Sequence, residues 1–164
     1  AEKAADLLES MGIHCLLHQP RYNLFDRGPE GGLYKVLGKK GIGAIPFSPL
    51  AQGLLTDRYL NGIPEDSRAA GGSVFLKKEQ ITPALLDKIK ALNAVAMARG
   101  QTLAQMAISW LHNSPVTASV IIGASRLTQI RDCARAQDGA PFSEEELRKI
   151  DGITLAQPAA FQKV

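Results

Sequence analysis

Three short apolar runs, Ile13 to His18, Gly43 to Phe47 and Ser119 to Ile122, alternate with stretches that carry the periodicity of amphipathic helices. Runs this short read as buried strands, since a helix needs more residues to present a face. Strands joined through helices imply parallel neighbours, because a parallel pair needs a crossover while an antiparallel pair closes through a tight turn. The expected class is therefore α/β. The strand count then limits the architecture: three strands cannot close an eight-stranded (β/α)8 barrel of roughly 250 residues. The chain is either an open α/β sheet or a part of such a barrel.

The helical stretches carry their own boundary signals. Residues 2 to 11 predict a helix with Leu7, Leu8 and Met11 on one side, stopped at Gly12. Leu33, Val36 and Leu37 mark a second helix that ends near Gly41. Thr82-Pro83 pairs an N-cap hydroxyl with proline at the first helical position, and Leu85, Ile89, Leu92 and Ala96 then form one face. Thr102 opens the next helix, with Leu103, Met106, Trp110 and Leu111 inward. A further helix is expected from Ser125 to about Ala136, and a last one from the capping box of Ser143 and Glu146 to Gly152. Residues 57–81 have no clear period and contain Gly62, Pro64, Gly71 and Gly72, so a long loop is expected there. Loops longer than about 12–15 residues in a compact domain are usually lids or disordered segments.

Composition narrows the function. Apolar residues make up 45% and charged residues 21%, and no apolar run approaches the roughly 18 residues of a membrane span. The net charge of +3 is spread along the chain without a basic block, so neither nucleic acid nor a membrane is an expected partner. Cys15 and Cys133 lack the spacing of a zinc site or redox pair, and no metal is expected; a reducing, cytoplasmic setting fits. Ala1 opens directly into a helical pattern with no initiating Met and no signal-peptide layout, which suggests a chain that starts partway through a domain.

Polar clusters stand where each strand hands over to a loop: His18-Gln19-Pro20, then Phe47-Ser48-Pro49-Leu50-Ala51-Gln52-Gly53, then Ile122-Gly123-Ala124-Ser125 running on to Gln129 and Asp132. Each is weak alone. A strand-end glutamine commonly faces water, a Phe after a buried strand commonly joins the core, and Ser125 could be a simple N-cap.

In order and spacing the clusters are more specific. The stretches HQPRYNLFDR, PFSPLAQGLLTDRYLNGIPEDSR, TLAQMAISWL and VIIGASRLTQI resemble the C-terminal half of aldo-keto reductases, from Ile13 to about Asp151. The resemblance is nearest to the branch of the bacterial glyceraldehyde-phosphate reductases and potassium-channel β subunits. It implies that residues 1–164 are the C-terminal portion of one barrel domain, a partial TIM barrel holding the last three strands and their helices. The implied activity of the full-length protein is NADPH-dependent reduction of an aldehyde or ketone.

The resemblance also implies roles. Gln19 would bind the nicotinamide carboxamide, and Phe47 would offer the face on which the nicotinamide ring stacks. Ser48, Leu50 and Gln52 match positions lining the pyrophosphate and adjoining ribose. Gly123, Ser125 and Gln129 match positions near the adenosine 2′-phosphate, with Asp132 near the adenine. Arg58 and Arg68 match basic loop positions that contact the 2′-phosphate and adenine. Cys133 stands where many relatives have Asn.

The family's catalytic Tyr, Lys, Asp and His belong to the N-terminal half of its barrel, and no residue here matches them. The chain alone is thus expected to be inactive. A different class of reading remains open: a non-catalytic binding or self-assembly module, because three parallel strands leave two edges that could template pairing into a homo-oligomer.

Overall fold

The computed structural model describes residues 1–65, 69 and 76–155. Strands β1 (Leu17–His18) and β2 (Gly43–Ala44) pair in parallel, with Leu17 opposite Gly43 and His18 opposite Ala44. The ladder continues in that register beyond both strands. Gly43 N donates to Leu16 O at 2.9 Å, Ile45 N to His18 O at 2.9 Å and Phe47 N to Pro20 O at 3.0 Å, and Arg21 pairs with Phe47.

On its other side β2 meets a third extended run through two parallel bridges, Ala44 with Thr117 and Phe47 with Ile121. Between these bridges the β2 side advances three residues and its partner four, so one extra residue bulges from the third run. The expected strand Ser119–Ile122 is corrected accordingly. Pairing begins earlier, where Ala44 N donates to Val116 O at 2.7 Å and Ala118 N to Ala44 O at 2.8 Å, and the bulge prevents a continuous ladder.

Side chains alternate across this small sheet. Ala44 is buried against Leu37, Ile42 and Ala5. Leu17, Phe47 and Ile121 lie on the opposite face and are 51%, 38% and 38% exposed. Gly43 fits the tight centre: a Cβ there would stand 3.0 Å from both Ala118 Cβ and Leu17 Cδ2.

Helix α1 (Glu2–Ser10) forms as expected, with Gly12 at φ +72 just beyond it. Its packing is not the expected one: Leu7 and Met11 are exposed, Leu8 is half-buried, and Ala5 alone of this helix is buried. Amphipathic spacing shows that a face is apolar and leaves open what covers it. Helix α2 (Leu33–Lys40) ends at Gly41 with φ 66, a left-handed cap that costs glycine little.

Helices α3 (Pro83–Ala98) and α4 (Leu103–His112) supply the main core. Thr82 and Thr102 cap them by accepting from Leu85 N and Gln105 N. Leu85, Ile89, Leu92 and Ala96 pack with Leu103, Met106, Trp110 and Leu111, each buried. Helix α5 (Leu127–Ala134) is followed by a short 3-10 turn, Arg135–Asp138. Helix α6 (Glu144–Leu155) starts from the expected capping box, with Ser143 N donating to Glu146 Oε2 at 2.7 Å and Glu146 N to Ser143 Oγ at 3.2 Å. It continues through Gly152, where its end was expected.

The described residues of the stretch 57–81 are not all plain loop. Short 3-10 turns occupy Asp57–Tyr59 and Lys78–Gln80, and Tyr59, Leu76 and Ile81 enter the core.

Candidate functional site

Parallel strands deliver their C-terminal ends to one edge, so the three polar clusters follow neighbouring strand ends. After β1 the backbone alternates: Pro20 and Tyr22 are buried, while Gln19 and Arg21 are exposed. Arg21 pairs with Phe47 across the ladder, and its Nε sits 2.9 Å from Asp26 Oδ2. Gln19, Phe47 and Ser48 thus come to adjacent strand ends.

The loop after Phe47 has an unusual backbone. Ser48, Ala51 and Gln52 have φ values of 57, 45 and 61, a left-handed region that residues other than glycine rarely adopt. Such strain persists only where neighbours enforce it, and it gathers at functional sites. Gln52 Nε2 donates to Ser48 Oγ at 3.0 Å. Asn23 Nδ2, from the loop after β1, donates to Ser48 O at 3.0 Å. A small cleft between these loops is lined by Arg21, Asn23, Asp26, Ser48 and Gln52. Asn23 was missed by sequence reasoning. Its signal lay inside the HQPRYNLFDR block, where a short amide precedes a turn.

The Leu50 side chain packs against the core, and its carbonyl accepts from Gly53 N at 2.8 Å and Leu55 N at 3.2 Å. Arg58 is half-buried in the Asp57–Tyr59 turn, its backbone N donating to Thr56 Oγ1 at 3.2 Å. Arg68 lies outside the described residues.

The third cluster corrects a further expectation. Helix α5 begins at Leu127, two residues past Ser125, and the Ser125 hydroxyl does not cap it. Gln129 instead reaches back over the helix start, its Oε1 accepting from Ser125 N at 2.9 Å and Arg126 N at 3.2 Å. Gly123, Ser125 and Gln129 are exposed. Asp132 is drawn toward α4, accepting from Gln105 Nε2 at 2.6 Å and Thr102 Oγ1 at 3.2 Å. Cys133 packs against Ile108 and Ala136, and burial, with Asp132 beside it, pushes its thiol above the usual range.

The tyrosines are committed to packing. Tyr22 donates to Glu30 Oε1 at 2.7 Å, and burial together with that carboxylate raises its phenol well above the ordinary value. Tyr34 and Thr117 share a hydrogen bond of 3.2 Å between their hydroxyls. Among the described residues no His, Cys, Asp and Glu group is placed to hold a metal, and no helix is long and apolar enough to cross a membrane.

Residues 1–154 match the model of the aldo/keto reductase family. The chain belongs to this family. Within it, the chain is 46% identical over 154 residues to L-glyceraldehyde 3-phosphate reductase of Escherichia coli O157:H7, covering 92% of this chain and 44% of the relative. It is 37% identical over 159 residues to a probable voltage-gated potassium channel subunit beta of Arabidopsis thaliana, covering 94% and 48%. The fold is similar to that of an aldo-keto reductase from Bacillus halodurans solved in its holo form, with TM-score 0.67, 22% identity, and coverage of 95% of this chain and 48% of that one. This aldo/keto reductase chain therefore spans about half the length of the relatives it matches.

Proposed function

We propose that this chain is the C-terminal, NADPH-holding part of an aldo-keto reductase whose full-length protein reduces aldehydes or ketones. One observation supports this most: Gln19, Phe47 and the strained Ser48–Gln52 loop stand at neighbouring parallel strand ends, with the Phe47 ring side partly open to solvent. The donor set fits a dinucleotide. An amide matches a carboxamide, an open aromatic face matches a nicotinamide ring, and hydroxyl, amide and turn N–H donors match pyrophosphate oxygens. Bound NADPH supplies the hydride.

In this reading Gln19 orients the carboxamide, Phe47 presents one face of the ring, and Ser48, Gln52 and the Leu50 backbone line the pyrophosphate. Gly123, Ser125 and Gln129 meet the 2′-phosphate. For that contact Gln129 Oε1 must release the Ser125 and Arg126 N–H groups. Arg58 and Arg68 add positive charge near the 2′-phosphate and adenine, favouring NADPH over NADH. Asp132 lies near the adenine edge while anchored on α4. The three strands are the last three of a (β/α)8 barrel in the cytoplasm. The remaining strands carry the Tyr, Lys, Asp and His of the reaction, so this chain alone is inactive.

The test is fluorescence titration of NADPH and carbonyl-dependent NADPH oxidation by the full-length protein. Binding with turnover of an aldehyde panel is expected, and failure of both would overturn the reading. This chain alone should bind NADPH weakly or not at all; submicromolar binding would overturn the claim that its site is incomplete.

A second reading is favoured by one specific feature. Leu16 and Leu17, at the edge of the sheet left unpaired among the described residues, are 76% and 51% exposed. An apolar strand edge promotes pairing with another chain, so the fragment would act as a self-assembly module. Light scattering separates the two, a stable monomer counting against assembly.

A further inference from the structure

We infer that Asn23 is the positioning residue that holds the loop after Phe47 in its dinucleotide-binding conformation, an inference that rests on the NADPH reading above. Asn23 is 1% exposed, and its side chain satisfies two loops at once. Oδ1 accepts from Phe25 N and Asp26 N, both at 2.9 Å, which folds the turn after β1. The turn is closed further by a reciprocal backbone pair, Asn23 N to Asp26 O and Asp26 N to Asn23 O, both 3.1 Å. Nδ2 then crosses to Ser48 O at 3.0 Å.

Ser48 is where that donation matters. Its φ of 57 is strained for a residue with a Cβ, and it opens the run that also puts Ala51 and Gln52 in the left-handed region. Ser48 is gripped at three points: Asn23 Nδ2 and Ala51 N donate to its carbonyl, and Gln52 Nε2 donates to its hydroxyl. Ala51 and Gln52 belong to the loop itself and move with it. Asn23 is the one of the three fixed from outside, on a turn already closed by its own hydrogen bonds. An amide is also chemically required, because the same side chain must accept on one atom and donate on the other. Aspartate would keep the turn and set a second acceptor against the Ser48 carbonyl.

The consequence is a change in population. Without the donation, the Ser48–Gln52 loop spends less time in its strained form, and apparent cofactor affinity falls in proportion to the competent fraction. Losing one buried hydrogen bond of ordinary strength shifts the ratio of strained to relaxed loop about tenfold, which is the most by which the competent fraction can fall.

The experiment compares full-length wild type with Asn23→Asp, and with Asn23→Ser should the aspartate variant not fold. Hydrogen exchange of residues 48–53 without cofactor should quicken about tenfold while the α3 amides keep their rates. The dissociation constant and KM for NADPH should rise, by at most about tenfold, with the carbonyl KM within about twofold of wild type. Unchanged exchange in the loop of a folded variant would overturn the inference, as would faster exchange spread evenly over the chain. Should wild type bind no NADPH, the functional reading fails by itself, and the exchange result still decides whether Asn23 holds the loop.

Discussion

Arg27 lies over Trp110, its guanidinium carbon 5.0 Å from the ring centroid, while the same side chain grips two carboxylates. Nη1 reaches Asp151 Oδ1 at 2.6 Å and Nε reaches Glu30 Oε1 at 2.6 Å. Glu30 also accepts from Tyr22, whose ring meets Trp110 at a tilt, with centroids 5.3 Å apart, and Tyr34 at 4.9 Å. One planar cation thus ties α6, α4 and the turn after β1 together. Arg27→Lys keeps the charge and loses the fork that serves both carboxylates and the flat face that meets the ring. It should cost about 2 kcal/mol of stability in urea unfolding of the full-length protein, and a cost below about 0.5 kcal/mol would contradict this account.

Phe47→Ala separates a stacking ring from a packing ring. A core phenylalanine truncated to alanine costs about 3–5 kcal/mol, yet Phe47 is 38% exposed and should lose much less. An aromatic stack is worth about 0.5–1.5 kcal/mol, so NADPH affinity should fall up to about tenfold. Thermal melting and NADPH titration on one variant read both. A large drop in melting temperature with unchanged affinity would return Phe47 to the core.

What could be read before the structure was mostly local. The caps at Thr82, Thr102 and Ser143 were legible because each is satisfied within three residues, and each forms. The neighbouring positions of Gln19 and Phe47 were legible because parallel strands put their C-terminal ends at one edge. Long-range terms were not. The resemblance set Asp132 near the adenine and gave no sign of its partners Gln105 and Thr102, which come from another helix. The bulge between Thr117 and Ile121 was hidden because an apolar run shows burial without showing register. Ser125 was a reasonable cap by residue type, yet its hydroxyl does not cap α5 and its backbone N–H is taken up by Gln129.

Gly43 is the narrowest point between the strands. A methyl group there meets Ala118 Cβ and Leu17 Cδ2, both at 3.0 Å, and the first of these is fixed to a paired backbone. Leu17 can turn aside; Ala118 can move only with its strand. Gly43→Ala should cost about 1–3 kcal/mol by overpacking, seen as a lower urea midpoint. Adding Ala118→Gly should recover part of that loss. If the double variant is no better than Gly43→Ala alone, the crowding lies elsewhere.

Glu146 supplies a pH test whose sign follows from its partners. The Ser143 backbone N–H, with the Arg99 guanidinium at 2.7 Å, holds its carboxyl below the usual carboxylate range. A carboxyl depressed in the folded state adds stability that is fully present above its unfolded pKa, about 4.3, and is lost as pH falls through the lower folded value. Arg99 is 5% exposed and stacked 3.7 Å over Phe142, so it stays in place and keeps demanding an anion. Glu146→Gln preserves the shape of the capping box and removes that charge. Melting temperatures of the two proteins should therefore differ by a few degrees at pH 7, with wild type higher. The gap should hold down to about pH 5 and close below about pH 4, as wild type becomes neutral at the same position. A gap that persists unchanged at the acid end would mean that shape at α6, and not the Arg99 ion pair, sets the difference.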